Sequence, residues 1–307
     1  MLKKSTCDVH VRHFFSISEL EVPYSIVIAY CVFNGFLSYN AIMLNIVTIH
    51  AIRKTSSLPR TLKTLLLSLA VSDVGVGLLI QPFAISLLVK GLQENYPACS
   101  TYKVFEILLV LFSKASFYGV IAISVDRFLT IHLHLRYQEL VTHKRVVAVV
   151  ISIWVLSAFA SSMVLWVPPD NRPLVLSIGT VIGLLLTTLI YIRIYLAVRR
   201  HKNQIQALQA QHAAQTGEIA NFTSLIKSAV GIFYVYLVFL VCYLPIFISM
   251  AALIIYGLNT ALNRSLLFSC TLIFLNSSLN PVIYCWKMRH VRNAVLNILG
   301  NLSWHRR

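Results

Sequence analysis

Charged residues are scarce in this sequence of 307 residues, and acidic residues are the scarcest of them. Only 12% of the residues are charged, with ten Asp and Glu against 26 Lys and Arg, while 58% are hydrophobic and the mean hydropathy is +0.76. A water-soluble domain carries about 25% charged residues. The composition therefore excludes a soluble protein and indicates an integral membrane protein.

The sequence also lacks the residue groupings of an enzyme. It contains no nucleophile paired with a general base, no cluster of metal ligands and no phosphate-binding loop. Internal repeats and interrupted hydrophobic segments, which are typical of transporters, are missing as well. We therefore predict that the protein is not an enzyme and contains no resident metal or organic cofactor.

Long hydrophobic runs are what the sequence has in abundance, and there are seven of them. A helix needs about 20 mostly apolar residues to cross a bilayer. Each run meets or nearly meets that length, over residues 24–52, 62–88, 102–131, 146–167, 175–198, 225–256 and 266–284. The expected fold is an all-α membrane protein, a seven-transmembrane helix bundle over residues 24–285, with a tail at 1–23 and a carboxyl-terminal segment at 286–307.

The segment after the seventh run has an amphipathic pattern. Its apolar residues recur at helical spacing, at Met288, Val291, Val295 and Leu299, and basic residues lie between them. This pattern predicts a short eighth helix on the inner leaflet, with its basic residues toward membrane lipid headgroups.

The cations are distributed unequally along the chain. With the amino terminus outside, seven Lys and Arg fall on outer segments and eighteen on inner segments, and Lys114 within a run is the last of the 26. Cytoplasmic loops carry the excess of Lys and Arg. We therefore expect a multi-pass plasma-membrane protein with an extracellular amino terminus, and we attribute the basic balance to topology and not to nucleic-acid binding.

Two of the six cysteines, Cys7 and Cys99, fall on the predicted outer side, where disulfides form. A disulfide between them would tie the tail to the top of the third helix. Two free thiols are the alternative.

A polar or otherwise distinctive residue marks every run. Polar and charged groups at the bilayer centre cost roughly a few kcal/mol, so they mark function more often than packing. In order, the markers are Asn45, Leu69-Ala70-Val71-Ser72-Asp73, Asp126-Arg127-Phe128, Trp154, Tyr191, Cys242-Tyr243-Leu244-Pro245 and Asn280-Pro281-Val282-Ile283-Tyr284. This ordered series resembles that of the rhodopsin-like (class A) G-protein-coupled receptors, from Asn45 to Val291.

The resemblance implies a receptor that binds an extracellular ligand within the bundle and activates a heterotrimeric G protein. Arg127 would pair with Asp126 at rest and turn toward the G protein on activation, while prolines kink the sixth and seventh helices. Arrestin and a receptor kinase are further implied partners. The residues implied in coupling and switching are Asp126, Arg127, Leu135, Tyr191, Phe239, Tyr243, Pro245, Asn280, Pro281 and Tyr284.

The resemblance also implies a sodium ion near mid-membrane. The matching positions all carry oxygen donors, which a hard cation prefers. They are Asp73, Ser116, Asn276, Ser277 and Asn280. A water-filled hydrogen-bond network without an ion is the alternative.

Several departures from the family pattern bear on the ligand. Leu109 replaces the aspartate of amine receptors, and Phe274 replaces the lysine that binds retinal in opsins, which disfavours an amine ligand and a photoreceptor. Glu106 and Lys114 are unusual ionisable residues of the third run, and they contact a charged ligand, pair internally or extend to the interface. The predicted ligand-binding residues are therefore Glu106, Leu109, Lys114, Tyr243 and Phe274.

Other departures are similar to features of two receptor groups. Gly183 replaces a usual proline of the fifth helix and the second outer loop lacks cysteine, as in melanocortin receptors, whereas residues 135–145 and 190–200 look like adenosine receptors. The ligand itself stays open at this point.

Two alternatives to a ligand-activated receptor follow from the same residues. One is a transporter or channel that uses Asp73, Glu106 and Lys114 as a polar pathway. The other is a constitutively active receptor without an agonist. Leu225 stands where the family often has an acidic partner for Arg127, which implies easier activation.

Overall fold

The computed structural model describes residues 23–55, 58–93, 95, 97–133, 136–168, 171–209, 216–256 and 260–304, and the regular structure in these ranges is helical. Seven of the helices are long and apolar enough to span a membrane. They are α1 Tyr24–Lys54, α2 Arg60–Leu92, α3 Cys99–Leu133, α4 His143–Trp166, α5 Arg172–Gln209, α6 Thr216–Tyr256 and α7 Thr260–Lys287. A short loop helix, Tyr137–Leu140, follows α3, and α8, Arg289–Trp304, follows α7. The predicted fold class is confirmed.

The outside of the bundle is as apolar as its interior. Phe36 on α1, Phe159 on α4 and Leu189 on α5 are 62%, 60% and 59% exposed, and large apolar side chains are exposed on every spanning helix. Helices that are hydrophobic all round are stable only when lipid or protein covers them. The protein is therefore a multi-pass membrane protein.

Helix α3 lies at the centre of the bundle and packs against α2, α4, α5 and α6. One apolar core joins α2, α3, α5, α6 and α7 around Leu66, Ile123 and Phe239. A second core joins α1, α2, α3 and α7 around Ile80 and Phe274, at the end of the bundle where α1 begins. We call this end and its core outer, and the opposite end and the first core inner. Because α3 contributes to both cores, it is the element on which the candidate site is built.

Helix α2 contains a π-helical segment, Val76–Ile80, which the hydrophobic pattern did not predict. Pro82 lies two residues after the end of this segment and has no backbone N–H to donate. The Ser38 hydroxyl on α1 donates to the Gly77 carbonyl at 2.7 Å within the segment. Gly77 also permits this close approach, because a Cβ there would lie 3.1 Å from the Ser38 carbonyl oxygen. Single π turns of this kind often mark functional regions.

The turn between α4 and α5 does not include Pro173. Helix α4 ends at Trp166 and α5 begins at Arg172, so Pro173 belongs to the first turn of α5. Proline is tolerated there because first-turn N–H groups have no partner within the helix. At the other end of the bundle, α5 extends to Gln209 and α6 begins at Thr216, so both helices continue beyond their hydrophobic runs, 175–198 and 225–256.

Helix α8 has the expected two-sided character. Val291 is fully buried, and Met288 directly before the helix is 6% exposed, whereas Leu296 is 58% exposed. The helix packs against α1 and α7. Its buried face is therefore fixed on the bundle, and an apolar side chain remains outside.

Candidate functional site

The inner end of α3 carries a buried ion pair. The Arg127 guanidinium donates to Asp126 Oδ2 through Nε at 3.0 Å and also through Nη2, and both side chains are 4% exposed. Tyr137 of the loop helix donates its hydroxyl to Asp126 Oδ1 at 2.6 Å and lies 3.1 Å from Thr61 Oγ1. Both oxygens of Asp126 thus accept hydrogen bonds, Oδ2 from Arg127 and Oδ1 from Tyr137.

Tyr137 was not predicted from the sequence as part of this site. Burial and the neighbouring Asp126 carboxylate raise the pKa of the Tyr137 phenol. The hydroxyl therefore stays protonated and can act as the donor in this bond.

Two predicted switch tyrosines, Tyr191 and Tyr284, lie in the inner core. Tyr191 on α5 is 2.9 Å from Ser124 Oγ on α3, and its ring stacks on Tyr236 of α6 with centroids 5.0 Å apart. The Tyr284 hydroxyl on α7 is fully buried and has no hydrogen-bond partner among the described residues. Buried hydroxyls are rarely left without a partner, so Tyr284 has capacity for a new hydrogen bond.

Asp73 lies fully buried in α2, where Asn280 Nδ2 donates to its Oδ2 at 2.8 Å. Four oxygens of the predicted ion site have no hydrogen-bond partner within the described part of the chain: Asp73 Oδ1, Ser116 Oγ, Asn276 Oδ1 and Asn280 Oδ1. Ser277, the fifth predicted residue, is 3% exposed, and its carbonyl accepts from Asn45 Nδ2 at 2.9 Å. Buried oxygens without a hydrogen-bond partner fit a hard cation or ordered water.

A stack of three aromatic rings connects α3 with α6 above the inner site. Phe117 on α3 stacks on Phe239 with centroids 5.3 Å apart, and Phe239 stacks on Tyr243 at 4.0 Å. Pro245 follows two residues later inside α6, and Pro281 lies inside α7. The predicted switch residues of α6 are therefore in contact with one another, next to a proline where the helix can bend.

Gly183 on α5 provides the space for the first ring of this stack. A Cβ at this position would lie 2.6 Å and 2.8 Å from two atoms of the Phe117 ring and 2.9 Å from Ile121 Cδ1. The glycine that replaces the usual proline is therefore complementary to the phenylalanine on α3.

This complementarity predicts opposite effects for two alanine substitutions in α5. Gly183→Ala should lower stability by about 1–3 kcal/mol because the methyl group overlaps the Phe117 ring. Gly179→Ala is the matched control, since nothing lies within 4 Å of its Cβ position. The control should raise stability by about 0.5–1 kcal/mol because alanine is the better helix former. The melting temperatures of the purified variants distinguish these results, and an equal rise in both would show that Phe117 moves aside freely.

Glu106 in the outer half of α3 is paired internally. Arg172 at the start of α5 donates to Glu106 Oε2 at 2.6 Å and to the Val167 carbonyl after α4 at 3.1 Å. Arg172 is 5% exposed and Glu106 20%. The guanidinium therefore connects α3, α4 and α5 near the outer surface. No disulfide could do so from the α4–α5 turn, because that turn contains no cysteine.

Breaking this ion pair should destabilise the bundle measurably. We expect Glu106→Gln to lower stability by about 2 kcal/mol, or about 4–8 °C in melting temperature, because a nearly buried guanidinium loses its counter-charge. The double variant Glu106→Arg with Arg172→Glu should recover part of the loss. Lys103→Met removes an exposed charge from the same helix and should have little effect. Equal melting temperatures of the Glu106→Gln and Lys103→Met variants would contradict this role.

The five predicted ligand residues divide among different environments. Leu109 and Phe274 belong to the outer core, and Tyr243 belongs to the inner core. Lys114 Nζ donates to the Leu176 carbonyl on α5 at 2.8 Å and to Thr180 Oγ1. Because Glu106 already pairs with Arg172, Lys114 is the ionisable member of the set without an opposite charge in the described structure.

Several predicted residues cannot be placed. Leu135 and Cys7 lie outside the described residues, as does the side chain of Leu225. Cys99 is disulfide-bonded, whereas Cys31, Cys242, Cys270 and Cys285 are free.

Sequence reasoning missed most of the partners of the predicted residues. They are Tyr137, Ser124, Phe117, Arg172 and Thr180. A signal existed for one pair only. Phe117 and Ser124 are seven residues apart, so helical spacing places them on the same face of α3.

With this geometry established, comparison with known proteins identifies the family. Residues 44–173 and 173–284 match the model of the 7 transmembrane receptor (rhodopsin family). The chain belongs to this family. It is a class A G-protein-coupled signalling receptor and not an enzyme.

Curated relatives from two receptor groups are similar to the chain. The adenosine receptor A2a of Canis lupus familiaris is 26% identical over 87% of this chain and 71% of its own length. The melanocortin receptor 3 of Rattus norvegicus is 27% identical over 84% and 81%. The adenosine receptor A2b of Gallus gallus is 34% identical, over 42% of this chain and 36% of that receptor. The expected resemblance to both groups is confirmed.

Proposed function

We propose that this receptor lies in the plasma membrane with its amino terminus outside, binds an extracellular ligand within the helix bundle and activates a heterotrimeric G protein. The observation that carries the proposal is the buried Asp126–Arg127 pair at the inner end of α3, to which Tyr137 donates a further hydrogen bond. A buried arginine held by a neighbouring carboxylate can be released without unfolding the helix that carries it.

Activation in this proposal exchanges the partners of Arg127. Outward movement of α6, with bending at Pro245, opens the inner end of the bundle. Arg127 then leaves Asp126 and turns toward the G protein, with Tyr191 and Tyr284 as new neighbours. The free hydrogen-bonding capacity of the buried Tyr284 hydroxyl favours such a rearrangement.

The ligand signal reaches the inner end through the aromatic stack. Movement of Tyr243 displaces Phe239, which stacks on it, and Phe239 in turn contacts Phe117 next to Gly183 on α5. Packed rings change position in discrete steps because interiors are dense. We assign ligand contacts to Glu106, Leu109, Lys114, Tyr243 and Phe274, with Glu106 acting through its ion pair with Arg172.

The residues around Asp73 fit a sodium ion that favours the resting state. Asp73, Ser116, Asn276, Ser277 and Asn280 would hold it, and four of their oxygens lack another partner among the described residues. The ion would supply the positive charge that a carboxylate needs in a low-dielectric interior. Release of Asp73 would then accompany rearrangement of Asn280 in α7, which links this site to the inner end.

Further partners and bonds complete the proposal. Leu135 contacts the α subunit of the G protein, and arrestin and a receptor kinase bind the same inner face. Helix α8 lies on membrane lipid, and its exposed Leu296 supports this position. Cys7 of the extracellular tail is the proposed disulfide partner of Cys99.

A single expression experiment tests the proposal against its two alternatives. An epitope tag at the amino terminus should bind antibody on intact cells, and a ligand screen should find compounds that stimulate nucleotide exchange on one of several G-protein subtypes. Ion current or substrate uptake without exchange would establish a transporter or channel. High exchange in the absence of any ligand would establish a constitutively active receptor.

A further inference from the structure

Lys114 carries a positive charge that the described structure does not balance. Its ammonium is half-buried in the membrane-spanning part of α3 and donates to two uncharged oxygens, the Leu176 carbonyl and Thr180 Oγ1. An ammonium has three N–H donors, so one remains for another acceptor. A charge inside a membrane helix normally has a partner, and an ionisable residue without one points to a ligand or an ion pathway.

The scarcity of acidic residues makes a hidden protein partner for Lys114 difficult to find. Of the ten Asp and Glu, only three lie within the seven membrane-spanning segments. Asp126 pairs with Arg127, and Glu106 pairs with Arg172. Asp73 accepts from Asn280. Two of the three carboxylates thus already form ion pairs, and among the described residues Lys114 forms none.

The position of Lys114 on α3 limits where a compensating charge can come from. Lys114 follows Glu106 by eight residues, which places it about 12 Å further from the outer surface along the helix. Thr180, its partner on α5, is 4% exposed. The ammonium therefore lies between α3 and α5 below the Glu106–Arg172 pair, at a depth where water screens charges poorly.

We infer that the extracellular ligand of this receptor carries an acidic group, a carboxylate or a phosphate, that pairs with Lys114. The inference rests on the proposed function, because it concerns the ligand of the same bundle. The acidic group would take the remaining N–H of Lys114, while Leu176 and Thr180 hold the ammonium on the α5 side. Such a pair joins the ligand to α3 and, through Thr180, to α5.

The test uses the full-length receptor in lipid nanodiscs and measures its melting temperature with paired probes. The probes are fatty acids of several chain lengths, aryl carboxylic acids and nucleoside monophosphates, each beside its neutral amide, ester or nucleoside. At least one acid at saturation should raise the melting temperature by about 5 °C while its neutral partner does not. In Lys114→Gln, which keeps a donor for Thr180, the same acid should bind about 30-fold more weakly or worse.

Two further variants and one salt exchange complete the design. Lys114→Arg keeps the charge and should keep most of the acid's effect, and Lys103→Met removes an exposed outer cation and should leave it unchanged. Replacement of chloride by gluconate, with the melting temperature measured in both salts, distinguishes a chloride ion bound at Lys114 from an acidic ligand. A melting temperature that depends on chloride and Lys114, but on no acid, would overturn the inference. The inference would also be overturned if acids and their neutral partners changed the melting temperature equally, or if no acid had an effect that depends on Lys114.

Failure of this inference and failure of the proposed function give different results. Nucleotide exchange stimulated by a neutral or cationic ligand would leave the receptor function intact and overturn only the acidic ligand. Acid binding that depends on Lys114 without nucleotide exchange on any G protein would overturn the proposed function and retain the anion site.

Discussion

Arg127→Ala should abolish G-protein activation while the receptor still reaches the cell surface. Truncation of a central arginine in an interface costs about 2 kcal/mol or more, so nucleotide exchange should fall by a factor of about 30 or more. Surface expression should stay close to normal because Asp126 keeps its hydrogen bond from Tyr137 at 2.6 Å. Membranes with matched amounts of receptor provide the measurement, with exchange followed on each G-protein subtype.

Arg127→Lys is the control for charge alone. Lysine keeps the positive charge but loses the two donors that Arg127 directs at Asp126 Oδ2. We expect weaker retention of the resting state and reduced exchange, between the wild type and Arg127→Ala. Wild-type exchange in Arg127→Ala at equal expression would remove the proposed role of this residue.

Asp73→Asn should make the receptor insensitive to sodium. Basal nucleotide exchange by the wild type should be slower in sodium chloride than in N-methyl-D-glucamine chloride at equal ionic strength, by a factor of about five or more. The physical reason is reciprocal coupling, since a cation that binds the resting state opposes the G protein, which binds the active state. The asparagine variant keeps nearly the same shape but loses the charge, so its exchange should be equal in the two salts.

Ser116→Ala sharpens the test of the ion site. Ser116 Oγ is buried without another partner among the described residues, so its loss should shift the sodium response to higher concentration without abolishing it. Identical exchange of the wild type in the two salts would mean that no ion site operates. Asp73 would then serve a network of ordered water instead.

The sequence by itself determined the class of protein and the order of its elements. The seven runs, the excess of inner cations and the ordered markers from Asn45 to Tyr284 are local properties of the chain, and each follows from the cost of burying polar or charged groups in lipid. Prolines within the runs also marked where α6 and α7 could bend. The family match agrees with this level of prediction.

Which residues contact one another was decided by the tertiary structure. Glu106 and Arg172 are 66 residues apart, and Asp126 is 11 residues from Tyr137. Hydrophobic periodicity cannot pair such residues, because it defines the buried face of a helix but not its rotation and depth against its neighbours. The π segment of α2 and the fit of Phe117 against Gly183 depend in the same way on helices packed side by side. For the same reason the sequence showed Lys114 only as an unusual residue. The structure places the three carboxylates of the spanning helices with other partners, so Lys114 has no ion pair among the described residues.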